Sequence, residues 1–208
     1  MKAKKSLHTN SNLVKIKAIN HPVFASGQRR VFSVHIDGGN FFHSLKNCGI
    51  QEKDFDYRGF VNWLCGEDVE NVIYYVGQVK RENNNPKSEE LYKSQQQRFE
   101  RLKKAGFYIV RGRLVRIGGK FMEKGVDVRI GVDIAIGAAQ DYYKKAFIVS
   151  SDSDLVPAVE FATLHGKKEI TYVGFEESFV SYHLVQKAST SKIVKKLELE
   201  KFVLKSEK

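Results

Sequence analysis

Ala146-Phe147-Ile148-Val149-Ser150-Ser151-Asp152-Ser153-Asp154-Leu155 is the stretch around which the rest of the chain can be read. Its first half, Ala146 to Ser150, is a short apolar run with the composition of a fully buried strand. The run stops at Ser151, and two acids follow two positions apart. From Leu155 to His165 the apolar residues fall at helical spacing, and Gly166 supplies a natural stop. Asp152 and Asp154 therefore stand at the carboxyl tip of a buried strand, where the next helix opens. In an open parallel sheet that edge is where ligands bind. A second apolar run, Val31 to Ile36, ends at Asp37-Gly38-Gly39-Asn40, so two strands deliver acids to one edge.

The bulk composition narrows the partners. A chain of 208 residues suits one domain with extensions. A hydrophobic content of 42% and an aromatic content of 12% exclude a disordered chain. Lys and Arg number 35 against 24 acids, and the net charge of +11 favours phosphate-rich partners, nucleic acid above all. Lys-rich tails that serve only solubility give the same surplus. Cys48 and Cys65 lie far apart without a CxxC, which argues against a disulfide framework or a zinc site and fits a reducing cytoplasm. No apolar run approaches the ~20 residues that cross a bilayer, and the basic N-terminus lacks an apolar signal core. No membrane partner is expected.

Along the chain, residues 1–30 read as a loose basic extension, with a short strand at Leu13 to Ile19. The core begins at Val31. A helix over Phe41 to Leu45 closes near Gly49, and a second runs from Phe55 to Leu64. Val72 to Val76 is a strand. A polar loop over 81–88 leads to a helix from Glu89 to Lys104, with Leu91, Phe99 and Leu102 on its buried side. Phe107 to Val110 is a strand, and Arg113 to Met122 a hairpin turning at Gly118-Gly119. Glu169 to Val173 is a further strand, and Phe179 to Lys187 and Ile193 to Leu204 read as terminal helices. Strands and helices alternate, which predicts an α/β fold: a mostly parallel sheet with helices on both faces. The domain spans 31–175, with a C-terminal helical segment over 176–208 that leaves a homodimer open. Residues 126–137 are ambiguous. Their apolar positions alternate strictly, as in a strand, whereas Ala135, Ala138 and Ala139 favour a helix, the element needed to cross to the next parallel strand.

Each acid has an ordinary explanation. Asp37 before Gly38-Gly39 fits an Asx turn, Asp154 fits a helix N-cap, and Asp127 and Asp133 fit an exposed helical face with Arg129 as charge partner. Collected at strand tips, however, carboxylates repel and raise one another's pKa. A divalent cation removes that cost. Mg²⁺ or Mn²⁺ takes oxygen ligands from one or two carboxylates, several waters and a substrate phosphate. Such an ion polarises a phosphoryl oxygen and lowers the pKa of an attacking water. The chemistry implied is hydrolysis of a phosphate ester.

Three blocks, Ile36-Asp37-Gly38-Gly39-Asn40, Lys124-Gly125-Val126-Asp127-Val128 with Asp133, and Ser150 to Leu155, resemble the signature of the NYN domain, in the LabA-like branch of the PIN-like nucleases. The resemblance spans Val31 to Gly174, and Phe175 to Ala188 is similar to the family's closing segment. It implies a Rossmann-like (PIN-like) sheet with an acidic pocket at its carboxyl edge and a metal-dependent endoribonuclease activity. It also sets Asp127 near a helix start. By that likeness Asp37, Asp127, Asp152 and Asp154 are metal-binding candidates. Asn40 orients Asp37 or substrate, and Ser150 or Ser151 bonds a phosphate or a carboxylate. Asp133 lies about 240° around a helix from Asp127, so it is either marginal to the pocket or structural. Where LabA-like sequences often carry Ala-Asp near their end, this chain has Ala188-Ser189-Thr190, which removes an auxiliary acid.

Arg111, Arg113, Arg116, Lys120 and Lys124 collect just before Asp127. They form a candidate arm for an RNA backbone, set against a merely solvated hairpin. Phe41, Phe42 and Tyr57 are candidates to stack unpaired bases of single-stranded RNA, and His43 to reach the site. Two competing functions remain at this stage: a regulatory domain that binds RNA or protein without cutting, and a small phosphohydrolase built on Asp152 and Asp154.

Overall fold

The computed structural model describes residues 30–79, 81, 85–117 and 120–204. The expected basic extension, including its strand at Leu13 to Ile19, lies outside them except for Arg30. The chain opens with β1 (Arg30–Asp37), then α1 (Gly38–Asn47), a 3-10 turn (Glu52–Asp54), α2 (Tyr57–Cys65) and β2 (Val72–Val76). Next come α3 (Pro86–Lys104), β3 (Tyr108–Arg111) and the hairpin of β4 (Arg113–Ile117) and β5 (Lys120–Lys124). The second half runs α4 (Val126–Ala139), β6 (Tyr143–Val149), a 3-10 turn (Ser153–Leu155), α5 (Val156–Leu164) and β7 (Glu169–Phe175). It ends with α6 (Tyr182–Lys187), β8 (Thr190–Val194) and α7 (Lys196–Leu199).

Six strands form one sheet in the order β3-β2-β1-β6-β7-β8, and every neighbouring pair is parallel. The chain moves outward from β1 through β2 to β3, then returns to the other side of β1 and moves outward again. Parallel crossovers are right-handed, so this reversal sends the helices of the two halves to opposite faces. Val34, Ile36 and Tyr74 accordingly pack with Phe41, Phe60 and Phe99 of α1, α2 and α3. Ile73, Tyr75 and Ile148 pack on the other face with Ile130, Val159 and Leu184 of α4, α5 and α6. Burial on both faces is why β2 reads as an unbroken apolar run.

The ambiguous stretch is a helix, as the family resemblance implies. Val126, Ile130, Asp133, Ile134, Gly137 and Ala138 are buried at helical spacing, while Val128 and Val132 are exposed. The apparent alternation came from apolar residues on the outer face. α3 starts three residues before the expected Glu89, because the Asn85 side chain accepts from Ser88 N and Pro86 occupies the first turn. Leu91, expected in its core stripe, is exposed. Asp154 does not cap α5 either: the cap residue is Leu155, with no side-chain bond.

The C-terminal reading needs a larger correction. The expected helix from Ile193 to Leu204 begins inside β8, the sixth strand, which pairs in register with β7 from Thr171↔Thr190 to Phe175↔Val194. Edge strands tolerate polar side chains because only one face is covered, so Thr190-Ser191-Lys192 carried no apolar signal. The segment expected to be helical over 176–208 therefore contains an edge of the sheet.

Gly38 shows how tightly β1 hands over to α1. A Cβ there would lie 2.4 Å from the Tyr74 ring and 2.7 Å from the Tyr75 carbonyl oxygen. At Gly39 the nearest atom would be Asp37 Oδ1 at 3.4 Å. Gly38→Ala is expected to cost about 1–3 kcal/mol in denaturant unfolding, and Gly39→Ala much less. Equal, small losses for both substitutions would contradict this packing.

Candidate functional site

The point where the strand order reverses lies between β1 and β6. Their last paired residues are Ile36 and Val149, so the next two residues, Asp37 and Ser150, emerge side by side at the carboxyl edge. Ser150 Oγ donates to Asp37 Oδ2 at 3.0 Å, and the Asp152 backbone N–H donates to Ser150 Oγ at 3.1 Å. Asp37 also caps α1: Gly39 N and Asn40 N donate to its Oδ1 at 3.0 and 3.1 Å. Asn40 Nδ2 donates to Oδ2 at 2.6 Å. An ionised carboxylate has about four lone-pair sites, and here four donors meet them. Asp37 is thus both the ordinary helix cap and a buried acid at the switch point.

Asp127 arrives from a different element. Gly125, at φ 82°, allows β5 to turn directly into α4, and Asp127 lies in that helix's first turn. Asp37, Asn40, Lys124 and Asp127 line one cavity of about 850 Å³. The Asp127 carboxyl is raised above its ordinary value of 3.8, first by burial and then by the negative charges of Asp152, Asp37 and Asp154. The four acids named from sequence therefore share one field, although they do not form one tight cluster. Asp152 caps its own 3-10 turn, accepting from Asp154 N at 2.9 Å, and neither it nor exposed Asp154 lines the cavity. Ser151 is half-buried beside them. Among the described residues, no three His, Cys, Asp or Glu are grouped as a metal cage. Asp37 and Asp127 are the oxygen donors that a hard cation of an open kind would take here, once one of the four donors on Asp37 gives way.

Asp133 does not line the cavity. It is buried, paired with Arg129 Nε at 2.9 Å, and accepts from the Tyr75 hydroxyl at 3.1 Å. Burial and the adjacent Asp133 push the Tyr75 hydroxyl far up, so it remains a donor. Asp133 thus fastens α4 to β2.

Of the basic residues, Lys124 lines the cavity, while Arg113 is exposed opposite it in the hairpin register. The Arg111 guanidinium lies 4.7 Å from the Phe99 ring centre, against α3. The side chains of Arg116 and Lys120 lie outside the described residues. Two of the three aromatic candidates for base stacking are core: Phe41 is fully buried among Phe55, Tyr57 and Phe60, and Tyr57 is buried with it. Phe42 and exposed His43 do line the cavity.

Sequence reading missed the wall supplied by α3 and the loop after β2. Buried Gln95 donates to Gly77 O at 2.8 Å and accepts from Val79 N at 2.9 Å, which fixes that loop against the cavity. A glutamine four residues before Phe99, inside an otherwise apolar stripe, is the signal that marks it. Arg98, also on the cavity, stands among many charged helix residues and gave no signal.

A parallel sheet with acids at its switch point defines the Rossmann-like class in which this edge serves as a binding site. The NYN domain family matches residues 32–195, and the chain belongs to it. That family has the fold of the PIN-like nucleases. A solved structure of a protein of unknown function from Vibrio parahaemolyticus is similar in fold, with a TM-score of 0.57 and 21% identity. The match covers 80% of this chain and 93% of that one. A search of curated proteins gives no match. Among the described residues no helix is long and apolar enough to cross a membrane.

The raised Asp127 carboxyl has a thermodynamic consequence. Its proton is held more tightly in the folded state, so ionisation costs the fold as pH rises through 3.8, and the cost is complete above the raised value. Water screens this exposed residue and keeps the effect small. Without divalent cations, Asp127→Asn is expected to raise the neutral-pH Tm slightly, with the gain fading as pH falls towards 3.8. Added Mn²⁺ should then stabilise the wild type more than the variant. A variant less stable than wild type at neutral pH without cation would contradict the repulsion.

Proposed function

We propose that this protein is a metal-dependent endoribonuclease of the LabA-like branch, hydrolysing phosphodiester bonds of single-stranded RNA in the cytoplasm. One observation carries the reading: Asp37 and Asp127, from separate elements, face a single cavity at the switch point with Lys124 beside them. A chain of net charge +11 with an acid-lined cavity suits a polyanion drawn to a cation site. Asp37 and Asp127, with Asp152 and Asp154 nearby, would hold Mg²⁺ or Mn²⁺, which would supply Lewis-acid activation of the phosphate and of a water. Asn40 and Ser150 hold the Asp37 carboxylate in place. Lys124 offsets the charge of the scissile phosphate, and Arg113 with the hairpin guides the flanking backbone.

A non-cutting, RNA-binding role is the competing reading. It is favoured by the complete occupation of the Asp37 lone pairs and by the lack of a three-acid group among the described residues. Single-stranded RNA incubated with Mn²⁺ or Mg²⁺ separates the two. Cleavage is expected with wild type and should fall by about a hundredfold or more in Asp37→Asn and Asp127→Asn, the scale of several kcal/mol of lost charge stabilisation. Lys124→Ala should weaken RNA binding and lower its salt slope by about one. Binding without cleavage in either metal would establish the competing role.

A further inference from the structure

The cavity has more wall than its acids use. At about 850 Å³ it is as large as small-molecule sites, which run to ~1,000 Å³. Its walls come from two groups of elements. The acids stand where β1 meets α1 and where α4 begins, whereas the remaining wall is built by Phe42, the 77–79 loop and α3. Phe42 is half-buried, so part of its ring is free to be covered. The Arg98 guanidinium lies 5.3 Å from that ring centre. Arg98 is held by Glu52 at 2.5 Å, and Glu52 in turn accepts from the Tyr57 hydroxyl at 2.6 Å. Its Nε is buried and has no hydrogen-bond partner.

We propose that this wall is a subsite for one unstacked nucleobase of the RNA, seated against the paired Phe42 ring and Arg98 guanidinium. The proposal deepens the nuclease reading and rests on it. Three features select a base over a phosphate. The charge of Arg98 is already offset by Glu52, which makes it a poor phosphate anchor but leaves its planar guanidinium as a surface for a base. An aromatic face beside a guanidinium plane is how unpaired bases of RNA are held. Both ends of the Gln95 amide are occupied in bracing the 77–79 loop, so it offers no donor to a phosphate and that part of the wall is fixed in advance.

A comparison at equal charge isolates the base. Pentauridylate and the abasic ribose-phosphate pentamer carry the same phosphates, so their affinity ratio reports base contacts in any binding register. Titration of the full chain in EDTA, which prevents cleavage, should show tighter binding of pentauridylate. Phe42→Leu should lower pentauridylate affinity by about fivefold or more, the scale of one lost stacking contact, and leave the abasic pentamer unchanged. Phe42→Trp should restore it, and circular dichroism should show both variants folded. Unchanged pentauridylate affinity in Phe42→Leu, or an equal loss for both pentamers, overturns the subsite and leaves the nuclease reading standing. No binding of either pentamer by wild type likewise overturns the subsite, while the cleavage assay with Mn²⁺ or Mg²⁺ alone decides the nuclease reading.

Discussion

The carboxylate of Asp37 is the joint on which the domain depends. Four hydrogen bonds reach it, three from its own helix start and one from Ser150 across the reversal of the sheet. The bond from Ser150 ties the first half of the chain to the second at the one edge both share. Close approach of Tyr74 and of the Tyr75 carbonyl leaves no room for a side chain at position 38, so α1 leaves β1 in a single way. The site is therefore firm on one side. On the other side stands Asp127, at the start of α4, destabilised as an anion first by partial desolvation and then by its three acidic neighbours. Two carboxylates on one cavity, one of them raised, cost stability in the free protein, a cost that a bound cation would relieve.

The position of Asp127 depends on where α4 lies, and a buried polar chain sets that. Asn71 Nδ2 donates to Ser33 Oγ at 2.9 Å, and Ser33 Oγ lies 3.0 Å from His35 Nε2. His35 Nδ1 lies 2.9 Å from the Tyr75 hydroxyl, which donates to Asp133. Because Tyr75 gives its proton to Asp133, its oxygen accepts from His35 Nδ1–H, and Nε2 is left to accept from Ser33. The donations then run in one direction from β1 and β2 into α4. Directional chains of this kind fix one geometry where an apolar interface would allow several, although the Asn71 Oδ1 at the start of this one is buried without a partner. Asp133, grouped with the site by sequence likeness, acts on it through this chain and through Arg129.

Much of this was legible in the residues. The strands β1, β2 and β6 are buried on both faces and announce themselves as apolar runs, and the acids at their tips follow from where those runs stop. What escaped has physical causes. β8 lies at the sheet edge, where Thr190 and Ser191 are exposed, so it carried no strand pattern. Val128 and Val132 on the outer face of α4 imitated a strand. Phe41 and Tyr57 looked like base platforms until packing placed them in an aromatic core that sequence spacing alone does not reveal. One side of the cavity comes from α3, some fifty residues after Asp37, and only tertiary contact brings Gln95 and Arg98 to it.

The central claim is that Asp37 and Asp127 together hold a divalent cation. Crystals grown or soaked with MnCl₂ and measured at the manganese edge test it most directly. An anomalous peak is expected in the cavity within ligating distance of both carboxylates, with the remaining positions filled by water. Strong manganese peaks elsewhere, with none between Asp37 and Asp127, would contradict it.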